Sequence, residues 1–150
     1  MVKSDIDSAI NMAGPRANTH VYGPVPSRRL GLSLGIDLIP HKVCCFDCVY
    51  CQVGPTTRLI HDPQDFGLDP DLVVSQVQGA LQSGPAPQVI TLAGSGEPTL
   101  YAPLEQLVRG LRSVCDLPLV LLTNGALLWR PEVRRAALLL DRVYPSLDAA

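Results

Sequence analysis

The sequence predicts an α/β protein: a parallel sheet of about four strands with covering helices. Three observations point there. Short apolar runs recur at 32–40, 88–94, 117–125 and 142–149, and unbroken apolar runs are what strands buried on both faces look like. Segments with helical spacing stand between the later runs. Each run is followed by polar or small residues, in "IPHKVCCFDC", "LAGSGEPTL", "TNG" and "PSLDA". Parallel sheets gather ligands at that end of the strands.

Residues 1–21 show no sustained periodicity and read as a loose leader. "YGPVPSRRLG" (22–31) holds two prolines and two glycines, so it reads as loop. "LSLGIDLIP" (32–40) is an apolar run stopped by Pro40, the first strand. "GPTTRLIHDPQDFGLDP" (54–70) is turn-rich. "DPDLVVSQVQGALQSG" reads as a helix, with Asp69 as N-cap, Pro70 in the first turn and Gly84 past the end. Val73, Val77 and Leu81 mark its buried face. "QVITLAG" (88–94) is the second strand. "LEQLVRGL" (104–111) places Leu104, Leu107, Val108 and Leu111 at i, i+3, i+4 and i+7, a helix with one apolar stripe. "LPLVLLTNG" (117–125) is the third strand, "RPEVRRAALLL" (130–140) a helix with Pro131 in its first turn, and "RVYPSLDA" (142–149) the fourth strand. No helix follows it, and folded proteins rarely leave a sheet edge open. Either a partner covers that edge or, as we prefer to read it, residues 22–150 are the front part of a longer domain.

Composition narrows the function classes. The chain has 150 residues, enough for one domain with a core. With 47% apolar and 17% charged residues it is not a disordered chain. Twelve basic and fourteen acidic residues leave a net charge of −2, so no global positive field recruits nucleic acid. No apolar run approaches the roughly 20 residues of a membrane span, and the amino terminus lacks the apolar core of an export signal. The expected compartment is the cytoplasm, where thiols stay reduced and clustered cysteines favour metal over disulfides.

"CCFDCVYCQVG" (44–54) carries four of the five cysteines. Cys44, Cys48 and Cys51 form C-x3-C-x2-C, and Cys45, Cys48 and Cys51 form the overlapping C-x2-C-x2-C. The second begins like a bacterial ferredoxin run, which would need a cysteine at position 55, where Pro55 stands. A structural zinc wants four converging ligands. The side chains of adjacent cysteines seldom converge on one ion, and His41 or His61 would have to complete the set. Cys45 alone reads as a buried small apolar residue, as does Cys115. Three thiolates on an iron-sulfur cubane would leave one iron open to a substrate.

The spacing C-x3-C-x2-C, with Tyr50 just before the last cysteine, resembles the radical S-adenosylmethionine (radical SAM) superfamily. "GSGEPTL" (94–100) is similar to that superfamily's glycine-glutamate motif at the end of the second strand, and "SLDA" (146–149) to the segment after its fourth. "YGPVPSRRLGLSLGIDLIP" is similar to a subgroup related to wyosine-base synthesis on transfer RNA. The resemblance implies a partial (β/α)6 barrel. At about 30 residues per βα unit such a core needs about 180 residues, so four strands would be its front part. It also implies a [4Fe-4S] cluster on Cys44, Cys48 and Cys51 that binds S-adenosylmethionine at its open iron. Reduction would then cleave the cofactor to methionine and a 5′-deoxyadenosyl radical that abstracts hydrogen. Gly96 and Glu97 would lie beside the methionine end, Tyr50 beside the adenine, and Ser146 and Asp148 near the ribose. The implied partners are a reductant protein such as flavodoxin or ferredoxin and, as a candidate substrate, an RNA base.

Several of these residues also have plainer readings. Glu97-Pro98 suits a turn with a solvated carboxylate, Ser146 and Asp148 are ordinary turn formers, and Asn124-Gly125 is first a turn signal. Arg28-Arg29 suits either a solvated loop or a grip on a carboxylate or RNA phosphate.

Overall fold

The computed structural model describes residues 19–146. Most of the expected leader, and Asp148, lie outside those residues. Seven strands and three helices follow one another as β1 (Val21–Ser27), β2 (Gly31–Ile36), β3 (Val43–Cys44), β4 (Arg58–Leu59), α1 (Pro70–Ser83), β5 (Val89–Leu92), α2 (Leu104–Val114), β6 (Leu119–Thr123), α3 (Pro131–Ala137) and β7 (Arg142–Pro145).

The protein is α/β, with a mostly parallel sheet in the order β1-β2-β5-β6-β7. The four expected strands are β2, β5, β6 and β7. Each pairs in parallel with the next, in chain order. Alternate residues face opposite sides of a strand. Leu34, Ile36, Ile90, Leu92, Leu119 and Leu121 join one core with residues of all three helices. The opposite face carries Ser33, Gly35 and Thr91, with Ser33 and Thr91 hydroxyls 2.6 Å apart.

The helices obey their sequence signals. Asp69 accepts from the Asp71 amide at 2.9 Å and caps α1, whose Val73 and Val77 are buried. In α2 the stripe Leu104, Leu107, Val108 and Leu111 is buried throughout, each side chain contributing about 1.5–3 kcal/mol of apolar burial.

The loop expected over 22–31 is largely strand instead. β1 runs antiparallel along the outer edge of β2, with an irregular register between Tyr22 and Val25. Prolines cannot serve a central strand but are admitted at an edge, and Gly23 takes the left-handed φ of +93° that the irregularity requires. A second departure is the two-residue pairing of β3, at the start of the cysteine loop, with β4 in the turn-rich region.

Asp141, just before β7, ties three elements together. Its carboxylate accepts from the Leu119 amide and from Arg112 of α2, each at 2.6 Å. The Leu119 N–H first, and then the Arg112 guanidinium, hold its pKa below the usual value. A depressed folded-state pKa contributes stability above the unfolded value, about 3.9. That contribution is lost as pH falls through the folded one. D141N is expected to lower the urea midpoint at pH 7 by a margin worth about 1 kcal/mol or less, the group being partly exposed. The gap to wild type should narrow below about pH 4. A gap unchanged at low pH would remove the charge from this account.

Candidate functional site

All four parallel strands end at one rim, and the segments leaving them line a single cleft of about 260 Å³. Cys44, Cys48 and Cys51 reach it from the segment after β2, together with Tyr50. Gly96 and Glu97 reach it from the segment after β5, and Ser146 from the end of β7. Asp148 lies outside the described residues.

The cysteine loop is irregular but tied down. The Lys42 amide donates to Ser95 O at 2.9 Å, joining it to the segment after β5. Ile60 N donates to Cys44 O at 3.0 Å, and the Cys51 amide to Cys48 O at 3.0 Å. Asp47 accepts from the Thr56 amide at 2.7 Å and closes the loop's outer turn. The two adjacent cysteines are not equivalent. Cys44 lines the cleft, whereas Cys45 is buried at 2% exposure and does not. The Asn124 side-chain amide stands 3.1 Å from the Cys45 sulfur and 3.7 Å from that of Cys44.

Thiolates, not thiols, bind metals. A hydrogen bond from Cys45 lowers the Cys44 pKa to about 6, while the same bond and burial push Cys45 up. Cys51 is lowered chiefly by the Val53 amide, with help from the Lys42 ammonium 3.4 Å away.

The glycine-rich segment is built around two carboxylates. Asp37 accepts from the Ser95 amide at 3.0 Å and from its hydroxyl at 2.5 Å. This presses the segment after β5 against the segment after β2 so closely that a Cβ on Gly96 would sit 2.0 Å from Val43 O. Glu97 is buried at 3% exposure, so the solvated-turn reading is wrong. Its carboxylate accepts from the Thr99 amide and hydroxyl at 3.2 and 2.6 Å, from the Thr123 hydroxyl at 2.5 Å and from the Asn124 amide at 2.7 Å. With those donors on it, Glu97 acts as an internal clamp, and the segment offers the cleft mainly its backbone.

Other candidates fall elsewhere. Arg28 and Arg29 are exposed in the turn between β1 and β2, at the rim where β2 begins rather than the one where the cleft lies. His41 and His61 are exposed and do not line the cleft. Cys115 sits at the end of α2, packed against the core. Sequence reading missed Lys42 and undervalued Asn124. Lys42 is buried at 4% exposure and lines the cleft. Its one signal was a lysine two positions ahead of the first cysteine.

Among the described residues, no three His, Cys, Asp or Glu side chains converge as a cage for a single ion. Three thiols spread around one open cleft suit the separate corners of an iron-sulfur cluster instead.

Comparisons with known proteins agree with that chemistry. The family model described as the Radical SAM superfamily matches residues 38–150. The chain is 43% identical over 129 residues to a GTPase Obg of Brachyspira hyodysenteriae, covering 86% of this chain and 19% of that protein. It is 41% identical over 133 residues to a UPF0026 protein of Methanocaldococcus jannaschii, covering 87% of this chain and 41% of the relative. A more distant likeness, 36% over 112 residues, is to a GTP 3′,8-cyclase of Xanthomonas campestris, covering 72% of this chain and 32% of the cyclase. The chain spans less than half the length of each of these relatives. No solved structure matches.

Two substitutions test the frame of the cleft. G96A places a methyl against backbone and is expected to cost about 1–3 kcal/mol, as overpacking does. E97Q puts an amide where acceptors are needed and should cost about 1–3 kcal/mol through an unmet buried donor. Urea unfolding measures both. A wild-type midpoint in E97Q would refute the clamp.

Proposed function

The chain belongs to the radical SAM superfamily, and from that premise we propose that it is an enzyme that reductively cleaves S-adenosylmethionine to abstract hydrogen from a substrate. Proteins of this superfamily bind a [4Fe-4S] cluster and S-adenosylmethionine, and these are the chain's cofactors. We assign Cys44, Cys48 and Cys51 as the cluster ligands. The observation that carries the assignment is that these three thiols share one cleft while Cys45 is turned into the protein. A cluster held by Cys44, Cys48 and Cys51 would have no fourth thiolate from this loop, and when reduced it would supply the electron that breaks the carbon-sulfur bond of S-adenosylmethionine to give methionine and a 5′-deoxyadenosyl radical.

The chain's own residues bind, orient and shield. The backbone around Gly96 serves the methionine end, since Glu97 already carries donors from the protein. Tyr50 would border the adenine chiefly through its backbone, and Ser146, with Asp148 beyond the described residues, would serve the ribose. The sequential order of the parallel strands supports the front part of a partial (β/α)6 barrel, because every strand is added on the same side of its predecessor. The likeness to a GTP 3′,8-cyclase supports an enzyme rather than an electron carrier. We place the protein in the cytoplasm, with a reductant protein such as flavodoxin or ferredoxin as electron donor and a transfer-RNA base among the first substrates to try. Among the described residues no helix is long and apolar enough to cross a membrane.

Anaerobic reconstitution of the full chain tests the assignment. Iron and sulfide content should fall to background in C44A and remain near wild type in C45A. With a strong reductant and S-adenosylmethionine, wild type and C45A should release 5′-deoxyadenosine and C44A none. A reconstituted wild type that keeps its cluster and makes none would favour an electron carrier, or a domain lacking the rest of its barrel, over the enzyme.

A further inference from the structure

We infer that Lys42 is a positioning residue that places its ammonium on the Cys51 thiolate and thereby raises the reduction potential of the cluster. The inference rests on the ligand assignment proposed above.

Four observations place the amine. Its nitrogen stands 3.4 Å from the Cys51 sulfur. The residue is 4% exposed and lines the same cleft as the three ligands. Among the described residues no carboxylate forms an ion pair with it, and its nitrogen is instead directed at the Cys51 sulfur. Lys42 also takes a φ of +60°, a region uncommon for any residue but glycine, and such residues gather at functional sites. Three backbone bonds hold it there. Its N–H donates to Ser95 O at 2.9 Å, and its carbonyl accepts from the Thr57 and Arg58 amides at 3.0 and 3.3 Å.

A charge held beside a cluster ligand acts on the redox equilibrium. Reduction adds one negative charge to the cluster, and a cation in a partly desolvated site favours the more negative form. Hydrogen bonds to ligand sulfur act in the same direction. Asn124 offers the Cys44–Cys45 pair a neutral donor, whereas Lys42 brings a full charge to Cys51. A buried lysine near the cleft therefore makes the cluster easier to reduce by a cellular donor.

The test is an EPR-monitored redox titration of reconstituted full chain, without S-adenosylmethionine, in wild type, K42M, K42Q and K42R. The expected result is a midpoint displaced to more negative potential in K42M and K42Q at unchanged iron content. K42R should stay near wild type. If K42M loses its cluster, K42Q provides the comparison. Loss of the cluster from both neutral variants with retention in K42R also supports the charge pairing. An unchanged midpoint in the neutral variants overturns the inference, as does loss of the cluster from K42R as well. A neutral variant with wild-type midpoint but weakened S-adenosylmethionine binding overturns it in favour of a carboxylate-binding lysine. A wild type with no reduced-cluster signal defeats the ligand assignment itself.

Discussion

Glu97 is the interaction on which the cleft depends. A carboxylate withdrawn from water costs several kcal/mol unless donors replace the lost solvent, and here four donors do so. They come from two places, the turn that follows Glu97 itself and the end of β6. The segment after β5 and the exit of β6 are thereby fixed to each other. Asn124 carries the constraint further. Its backbone amide is held by Glu97, and its side chain reaches the sulfur atoms of Cys44 and Cys45. One buried charge thus sets the relative position of two strand exits and the first cysteines.

Asp37 supplies the second half of the frame. It binds both polar groups of Ser95, and the Ser95 carbonyl in turn accepts the Lys42 amide. The close approach this imposes leaves no room for a Cβ at Gly94 or Gly96. A loop with little regular structure can hold ligands in place when its backbone is bonded to a rigid sheet at several points. The cysteine loop is pinned by its own β3–β4 pairing and by the Lys42 amide on Ser95 O, in the segment after β5. Lys42 and Cys51 lie on opposite sides of the same loop sequence, and their contact shows how far the chain folds back on itself.

Elements whose signals are local were legible in the sequence. The Asp69 cap, the stripe in α2 and the four apolar strands needed only neighbouring residues to be read. β1 was not, because two prolines and two glycines are turn chemistry until an edge position makes them tolerable. The spacing of Cys44, Cys48 and Cys51 pointed to a cluster and left Cys45 as a buried residue, but the Asn124 side chain beside that pair, some eighty residues away, had no signal in the sequence. Glu97 was singled out by its motif, yet its role as a clamp required Thr123 and Asn124 to be adjacent in space. Lys42 was invisible for the same reason: its partner is set by a loop closure, not by periodicity.

The amino-terminal strand belongs to this frame more than its sequence suggests. All three helices share one core with the sheet face bearing Leu34 and Ile36, so the other face needs different cover. β1 supplies part of it. The Tyr22 ring lies so close over Gly35 that a Cβ there would meet ring carbon at 2.1 Å, and its hydroxyl donates to Ala93 O at 3.0 Å. Ala93 is the first residue of the cleft-lining segment after β5. The hairpin therefore shields the edge of β2 and also bonds to the wall of the cleft. Removing β1 would expose a sheet edge and take away the Tyr22 bond to Ala93 O, leaving Asp37 and Glu97 to hold the segment after β5 alone.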